Sequence, residues 1–124
     1  HEGAKTVKVK ASQKEGFVLL VIPEDITFQN CKSLKAQIEK ALQVFPDKWM
    51  VLDFKKVDFI NSSGIGILVD ALKFLRKREG GLFITRCGGP VRRLFEKTRL
   101  HEDIKLVKDE EAVKAAIASP DAWD

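Results

Sequence analysis

The tightest constraint on the fold is the stretch 17–22, six apolar residues in a row, separated by only residues 12–16 from a segment in which Val7, Val9 and Ala11 alternate with Lys8 and Lys10. The alternation has the period of a strand with one wet face, and the unbroken run that of a strand covered on both sides. A parallel pairing would need a crossover of a dozen or more residues. The two segments are therefore expected to form an antiparallel hairpin.

Downstream the period changes. Phe28, Cys31, Leu34, Ile38, Ala41, Leu42 and Phe45 recur at spacings of three and four, which predicts an amphipathic helix with Thr27 as its N-cap and Pro46 as its stop. Residues 49–54 and 82–85 read as buried strands, joined by a helix over about 63–78. Pro90 suits the first position of a short helix with Val91, Leu94 and Phe95 facing inward. Residues 104–107 form a weaker strand. Asp109 then caps a last helix, with Glu110 and Glu111 in its first turn and Val113, Ala116 and Ile117 on its inner face. The expected fold class is α/β, one domain over residues 1–124. Its mixed sheet of four or five strands opens with the hairpin and is otherwise mostly parallel, and about four helices pack mainly on one face. Phe17, Leu19, Val21, Val51, Leu68, Leu72, Phe83 and Phe95 are the expected core.

Composition narrows the class of function. With 44% apolar and 32% charged residues, the 124-residue chain has enough apolar material to fold without staples. No apolar run approaches the 18 residues of a membrane span, and the N-terminus lacks a signal-peptide core, so a free-standing cytoplasmic protein is expected. Cys31 and Cys87, with only His1 and His101 to assist, make neither a disulfide framework nor a zinc site, and neither metal nor cofactor is expected. Cys31 lies on an inner helix face. Cys87, between Arg86 and Gly88, sits beside basic charge that would favour its thiolate.

Charge is uneven along the chain. Residues 71–99 hold nine basic groups (Lys73, Arg76, Lys77, Arg78, Arg86, Arg92, Arg93, Lys97, Arg99) against Glu79 and Glu96, whereas residues 100–124 hold three lysines against seven acids. Such runs are most often solvated surface. Phe74, Phe83 and Phe95 fit core stripes rather than base-stacking positions, so an acidic protein surface is the expected partner, and nucleic-acid binding through 71–99 is the runner-up.

The most informative stretch is 57–70, VDFINSSGIGILVD. Phe59 and Ile60 close an extended segment, and Asn61, Ser62, Ser63 and Gly64 make a turn into a helix whose first N–H groups need side-chain acceptors. Ile65, Ile67, Leu68 and Val69 predict a helix buried in its first half, and Lys73, Arg76, Lys77 and Arg78 a second half that emerges into water. Gly64 and Gly66 allow a close approach by a backbone or ligand. Two serines at a helix N-terminus suit an anion or a modification, or serve as a plain cap. Nucleotide loops and enzymes fit poorly. There is no G-x-x-x-x-G-K-[ST], and His101 lies in a polar loop remote from Ser62. Asp53 ends a strand as a phosphoacceptor aspartate would, but the opening hairpin does not suit a receiver domain.

These residues resemble the STAS family, the anti-sigma-factor antagonists of bacterial regulatory systems, over roughly residues 7–117. The stretch 59–68 is similar to the family's Asp-Ser-Ser-Gly-Leu-Gly segment, 51–54 to its preceding strand and 90–95 to its short third helix. The resemblance implies a non-enzymatic switch that binds an anti-sigma factor, itself an ATP-dependent serine kinase, and so releases a sigma factor to activate transcription. It implies phosphorylation at Ser62, which abolishes binding, and reversal by a serine phosphatase. Ser63 matches the neighbouring hydroxyl. Asn61 stands where the family has an acidic residue, and Glu24-Asp25-Ile26-Thr27 where it has Gly-x-Leu-Asp near the partner surface. The expected partner-binding set is thus Asp25, Thr27, Asn61, Ser62, Ser63 and Gly64, on a monomer or weak dimer. The alternative is a constitutive interaction module in a signalling assembly.

Overall fold

In a computed structural model, which describes residues 4–119, the chain reverses at residues 14–17, with Gly16 at φ 90° and the Lys14 amide donating to the Phe17 carbonyl at 2.9 Å. This turn lays β1 (Lys10–Gln13) antiparallel to β2 (Val18–Val21), with Ala11 opposite Leu20. From β2 onward every pairing is parallel, through β3 (Trp49–Asp53), β4 (Gly81–Thr85) and β5 (Lys105–Val107), in the order β1-β2-β3-β4-β5. The connections are α1 (Cys31–Val44), α2 (Ser62–Lys77) and α3 (Gly89–Lys97) with a 3-10 turn (Leu100–Glu102), and α4 (Glu110–Ala118) follows β5. The expected α/β fold with its opening hairpin is the observed one. His1 and the rest of residues 1–3 and 120–124 lie outside the described residues.

Strand alternation sends alternate residues to two cores. Val18, Leu20, Met50, Leu52, Leu82 and Ile84 meet Leu34 and Ile38 of α1, Leu68 and Leu75 of α2, and Val91 and Phe95 of α3. On the other face Phe17, Leu19, Val51 and Phe83 meet Val113 of α4, with the Trp49 ring tilted against Phe83 at 5.7 Å between centroids. Three helices thus share one face and the fourth covers the other. Seven of the eight expected core residues are buried. Val21 is half-buried, because its neighbour across the hairpin is Lys10 on a wholly exposed strand.

Four expectations need correction. Residues 7–9 are not paired strand: the Val7 amide donates to Ser33 Oγ at 3.1 Å, Gln37 Nε2 donates to the Val7 carbonyl, and the Val9 amide donates to Gln37 Oε1 at 3.0 Å. Side chains of α1 thus replace a neighbouring strand. The N-cap of α1 is Asn30 rather than Thr27, and Phe28 is 87% exposed rather than part of the inner stripe. Residues 27–30 are a turn, in which the Thr27 carbonyl accepts from the amides of Asn30 and Cys31. Helix α2 is not buried in its first half alone. Its stripe runs from Gly64 through Leu68, Ala71 and Leu72 to Leu75, with Gly66 exposed. Phe74 is 42% exposed and lies under the Arg78 guanidinium, 4.7 Å from its ring centroid.

Arg78 also ties the ends of α1 and α2 together, donating to the carbonyls of Leu42, Phe45 and Asp47. The planar fork meets three acceptors at once, which an ammonium cannot copy. Arg78→Ala should lower unfolding free energy by about 2 to 3 kcal/mol in urea denaturation, and Arg78→Lys should recover less than half of the loss.

Candidate functional site

The motif serines occupy the first two positions of α2, and both are exposed. Asn61 precedes them in extended conformation, φ −79° and ψ 172°, and its Oδ1 accepts from the Gly64 amide at 2.7 Å. The Asn61 carbonyl starts the helix by accepting from Ile65 at 3.1 Å. One short amide side chain therefore satisfies an otherwise orphaned donor, and the serine hydroxyls are not needed as caps. Gly64 is buried, and a Cβ there would lie 2.7 Å from both Ile26 Cγ2 and Ile60 Cγ1. Only hydrogen fits.

Those isoleucines belong to two loops that pair beyond the sheet. Ile26 and Ile60 form an isolated parallel bridge, with the Ile26 amide donating to the Phe59 carbonyl at 2.9 Å and the Asn61 amide donating to the Ile26 carbonyl at 3.0 Å. Asp25 reinforces it, its Oδ1 accepting from the amides of Asp58 at 2.7 Å and Phe59 at 3.3 Å. Buried Asn30 braces the first loop from behind. Its Oδ1 accepts from the Thr27 amide, and its Nδ2 donates to the Asp25 carbonyl and to Glu24. The structure thus brings Asp25, Thr27, Asn61, Ser62, Ser63 and Gly64 onto one edge. Asp25 and Asn61 serve as backbone acceptors there, and Gly64 as the contact point between the loops.

Sequence reasoning missed Phe28 and Phe59, 87% and 54% exposed in these same loops, and also Asn30. Asn30 stands at the N-cap position of α1 without a side-chain cap hydrogen bond, so capping preference gave no signal of its bracing role in the loop before the helix. Phe28 gave none either, since its spacing from Cys31 is also that of a core stripe.

Other candidates fall away from this edge. His101 is in the turn before β5, with Nδ1 3.2 Å from the Phe95 carbonyl, while the Arg76–Asp103 ion pair at 3.0 Å ties that turn to the far end of α2. It therefore lies at the opposite end of α2 from Ser62. Asp53 accepts from the Lys55 amide and lies 3.9 Å from Arg86. Arg99 pairs with Glu102 at 2.9 Å, so Arg76, Arg78, Arg86 and Arg99, four of the nine basic groups, have partners or near partners, while Lys73, Lys77, Arg92, Arg93 and Lys97 are exposed. Cys87 is half-buried. Burial pushes its thiol up from the ordinary value and Arg92 offsets only part of this, so neighbouring charge does not make it a ready thiolate.

The STAS domain model matches residues 8–113, and the chain belongs to that family. It is similar to the anti-sigma F factor antagonist of Paenibacillus polymyxa, 19% identical over 104 residues that cover 84% of this chain and 89% of that protein. It is also similar to the anti-sigma-B factor antagonist of Listeria monocytogenes, 32% identical over 73 residues, 56% of this chain and 64% of that one. Two solved structures share the fold. An anti-sigma-factor antagonist (STAS) domain protein from Planctomyces limnophilus superposes with a TM-score of 0.78 at 16% identity, over 90% of this chain and 98% of that one. The anti-sigma factor antagonist SpoIIAA in its unphosphorylated form gives 0.75 at 17% identity, over 90% and 97%.

The two motif glycines should behave oppositely. Gly64→Ala must separate the loops and should destabilise the domain by about 1 to 3 kcal/mol. Gly66→Ala meets nothing within 4 Å and should stabilise it by up to about 1 kcal/mol, both read from denaturant midpoints. Cys87 should alkylate more slowly in the folded chain than in the same chain in denaturant near pH 8, as followed by mass spectrometry.

Proposed function

We propose that this chain is an anti-sigma-factor antagonist: it binds an anti-sigma factor that is also a serine kinase, and phosphorylation of Ser62 prevents that binding. A serine phosphatase restores the binding form, and sequestering the anti-sigma factor releases a sigma factor. The observation that carries this is the setting of Ser62, an exposed hydroxyl at the first position of α2, held on a braced edge and not used as a cap. Relatives named as anti-sigma factor antagonists support the partner class. On this reading the chain acts by binding, not by catalysis.

The physics predicts how the switch works. A phosphate on Ser62 adds about −1.5 to −2 charges. At a helix N-terminus an anion is favoured by roughly 0.3 to 1 kcal/mol, and the neutral Asn61 adds no repulsion, so the fold survives modification. The interface does not. A surface shaped to a small neutral hydroxyl cannot desolvate a dianion without several kcal/mol of penalty unless it supplies a counter-charge.

Ser62→Asp should keep the melting temperature within a few degrees yet weaken binding to the anti-sigma factor by about ten-fold or more, near 1.4 kcal/mol, in calorimetric titration. Ser62→Ala should bind and resist modification. If kinase and ATP leave Ser62 unmodified by mass spectrometry, or Ser62→Asp binds like wild type, the chain is instead a constitutive interaction module.

A further inference from the structure

Beside the Ser62 edge runs an open groove of about 900 Å³ between the N-terminal segment, α1 and α2. From α2 it takes Ser63, Gly66, Ile67 and Asp70, at spacings i, i+3, i+4 and i+7, so it follows that helix for about 10 Å. Such a length and shape match the ridge of one further helix laid against two. Gly66 flattens its floor, since no atom lies within 4 Å of where its Cβ would be. A glycine inside a helix costs about 1 kcal/mol relative to alanine, and here it leaves room for a close approach.

The walls combine apolar surface with a predominance of positive charge. Phe28, Cys31 and Ile67 supply carbon, and Phe28 is an 87% exposed aromatic on a loop that Asn30 holds fixed. A ring presented on a braced loop forfeits little backbone freedom on binding, which suits an anchor residue. Among the described residues, Lys5, Lys32 and Lys35 line the rim against one acid, Asp70. The first strap of the N-terminal segment, the Lys5 amide donating to the Gln29 carbonyl at 2.9 Å, places Lys5 across from the α1 lysines.

We infer that this groove docks an acidic amphipathic helix of the protein partner, its apolar stripe on Phe28 and Ile67 and its carboxylates against Lys5, Lys32 and Lys35. The inference rests on the chain being a protein-binding module, as proposed above. It does not require Ser62 to be modified. Because Ser63 forms one end of the groove, a partner bound there reaches the Ser62 edge without a second docking surface.

The probe is a helix-stapled peptide of about 15 residues, leucines at i, i+3, i+4 and i+7 and glutamates elsewhere, titrated into the 15N-labelled full chain, with a lysine-for-glutamate peptide as control. The glutamate peptide should shift the amides of Phe28, Lys32, Lys35, Gly66 and Ile67 saturably, and the lysine peptide should bind about ten-fold more weakly or not at all. Phe28→Ala and the pair Lys32→Glu with Lys35→Glu, all at exposed positions, should each weaken the glutamate peptide about ten-fold. Ser62→Asp should leave it within about two-fold, so the fate of the phosphorylation switch and that of the groove are scored apart. The inference is overturned by the absence of saturable shifts at these amides, by equal affinity for both peptides, or by wild-type affinity in the groove variants. A Ser62→Asp effect beyond two-fold would also overturn it, by moving the peptide onto the serine edge.

Discussion

Beyond the last paired residues of β2 and β3, one more contact continues their parallel alignment: the bridge between Ile26 and Ile60. Two loops that leave a sheet edge side by side would otherwise each choose among many conformations, at roughly 1 to 2 kcal/mol of backbone entropy per residue fixed. The bridge makes them one unit. Its two backbone hydrogen bonds, the Asp25 carboxylate and the absence of a side chain at Gly64 all act on this contact. The direction of α2, and with it the position of Ser62, follows from that junction.

The same junction explains why an asparagine serves where the family has an acid. The position must accept a hydrogen bond from Gly64 and hold extended backbone, and a neutral amide does both. A carboxylate would add interaction with the helix dipole but also charge beside Ser62. Of the acids in the two loops, Asp25 is occupied by two backbone amides. Elsewhere some of the charges serve the fold. Arg78 closes the ends of two helices and Arg76 ties α2 to the turn before β5, so part of a basic stretch that is conspicuous in the linear chain holds elements together.

Much of the architecture was legible in the chain because short-range periodicity reports burial directly. The hairpin, the parallel strands and all four helices follow from periods of two and near four punctuated by Gly16, Pro46 and Pro90, and the Asp109 cap was visible as such. The motif turn was legible too, as was the placing of Asp25 and Thr27 beside it through family resemblance. The failures share a cause. Residues 7–11 alternate like a strand, but β2 pairs with only four residues of β1, and Ser33 and Gln37 of α1 compete successfully for Val7 and Val9. Phe28 has helical spacing, yet the turn at 27–30 lifts it out of the helix before the period begins.

What the sequence by itself determined is therefore the set of elements, their order and the identity of the serine turn, since each depends on residues within a few positions of one another. Which faces those elements present to one another, and what remains exposed between them, was decided only by tertiary packing. Phe28 and Lys32 are more than thirty residues from Gly66 along the chain and meet it at one groove because α1 and α2 pack side by side on the same face of the sheet. A local pattern records whether a side chain prefers water. It holds no information about which distant helix will stand beside it.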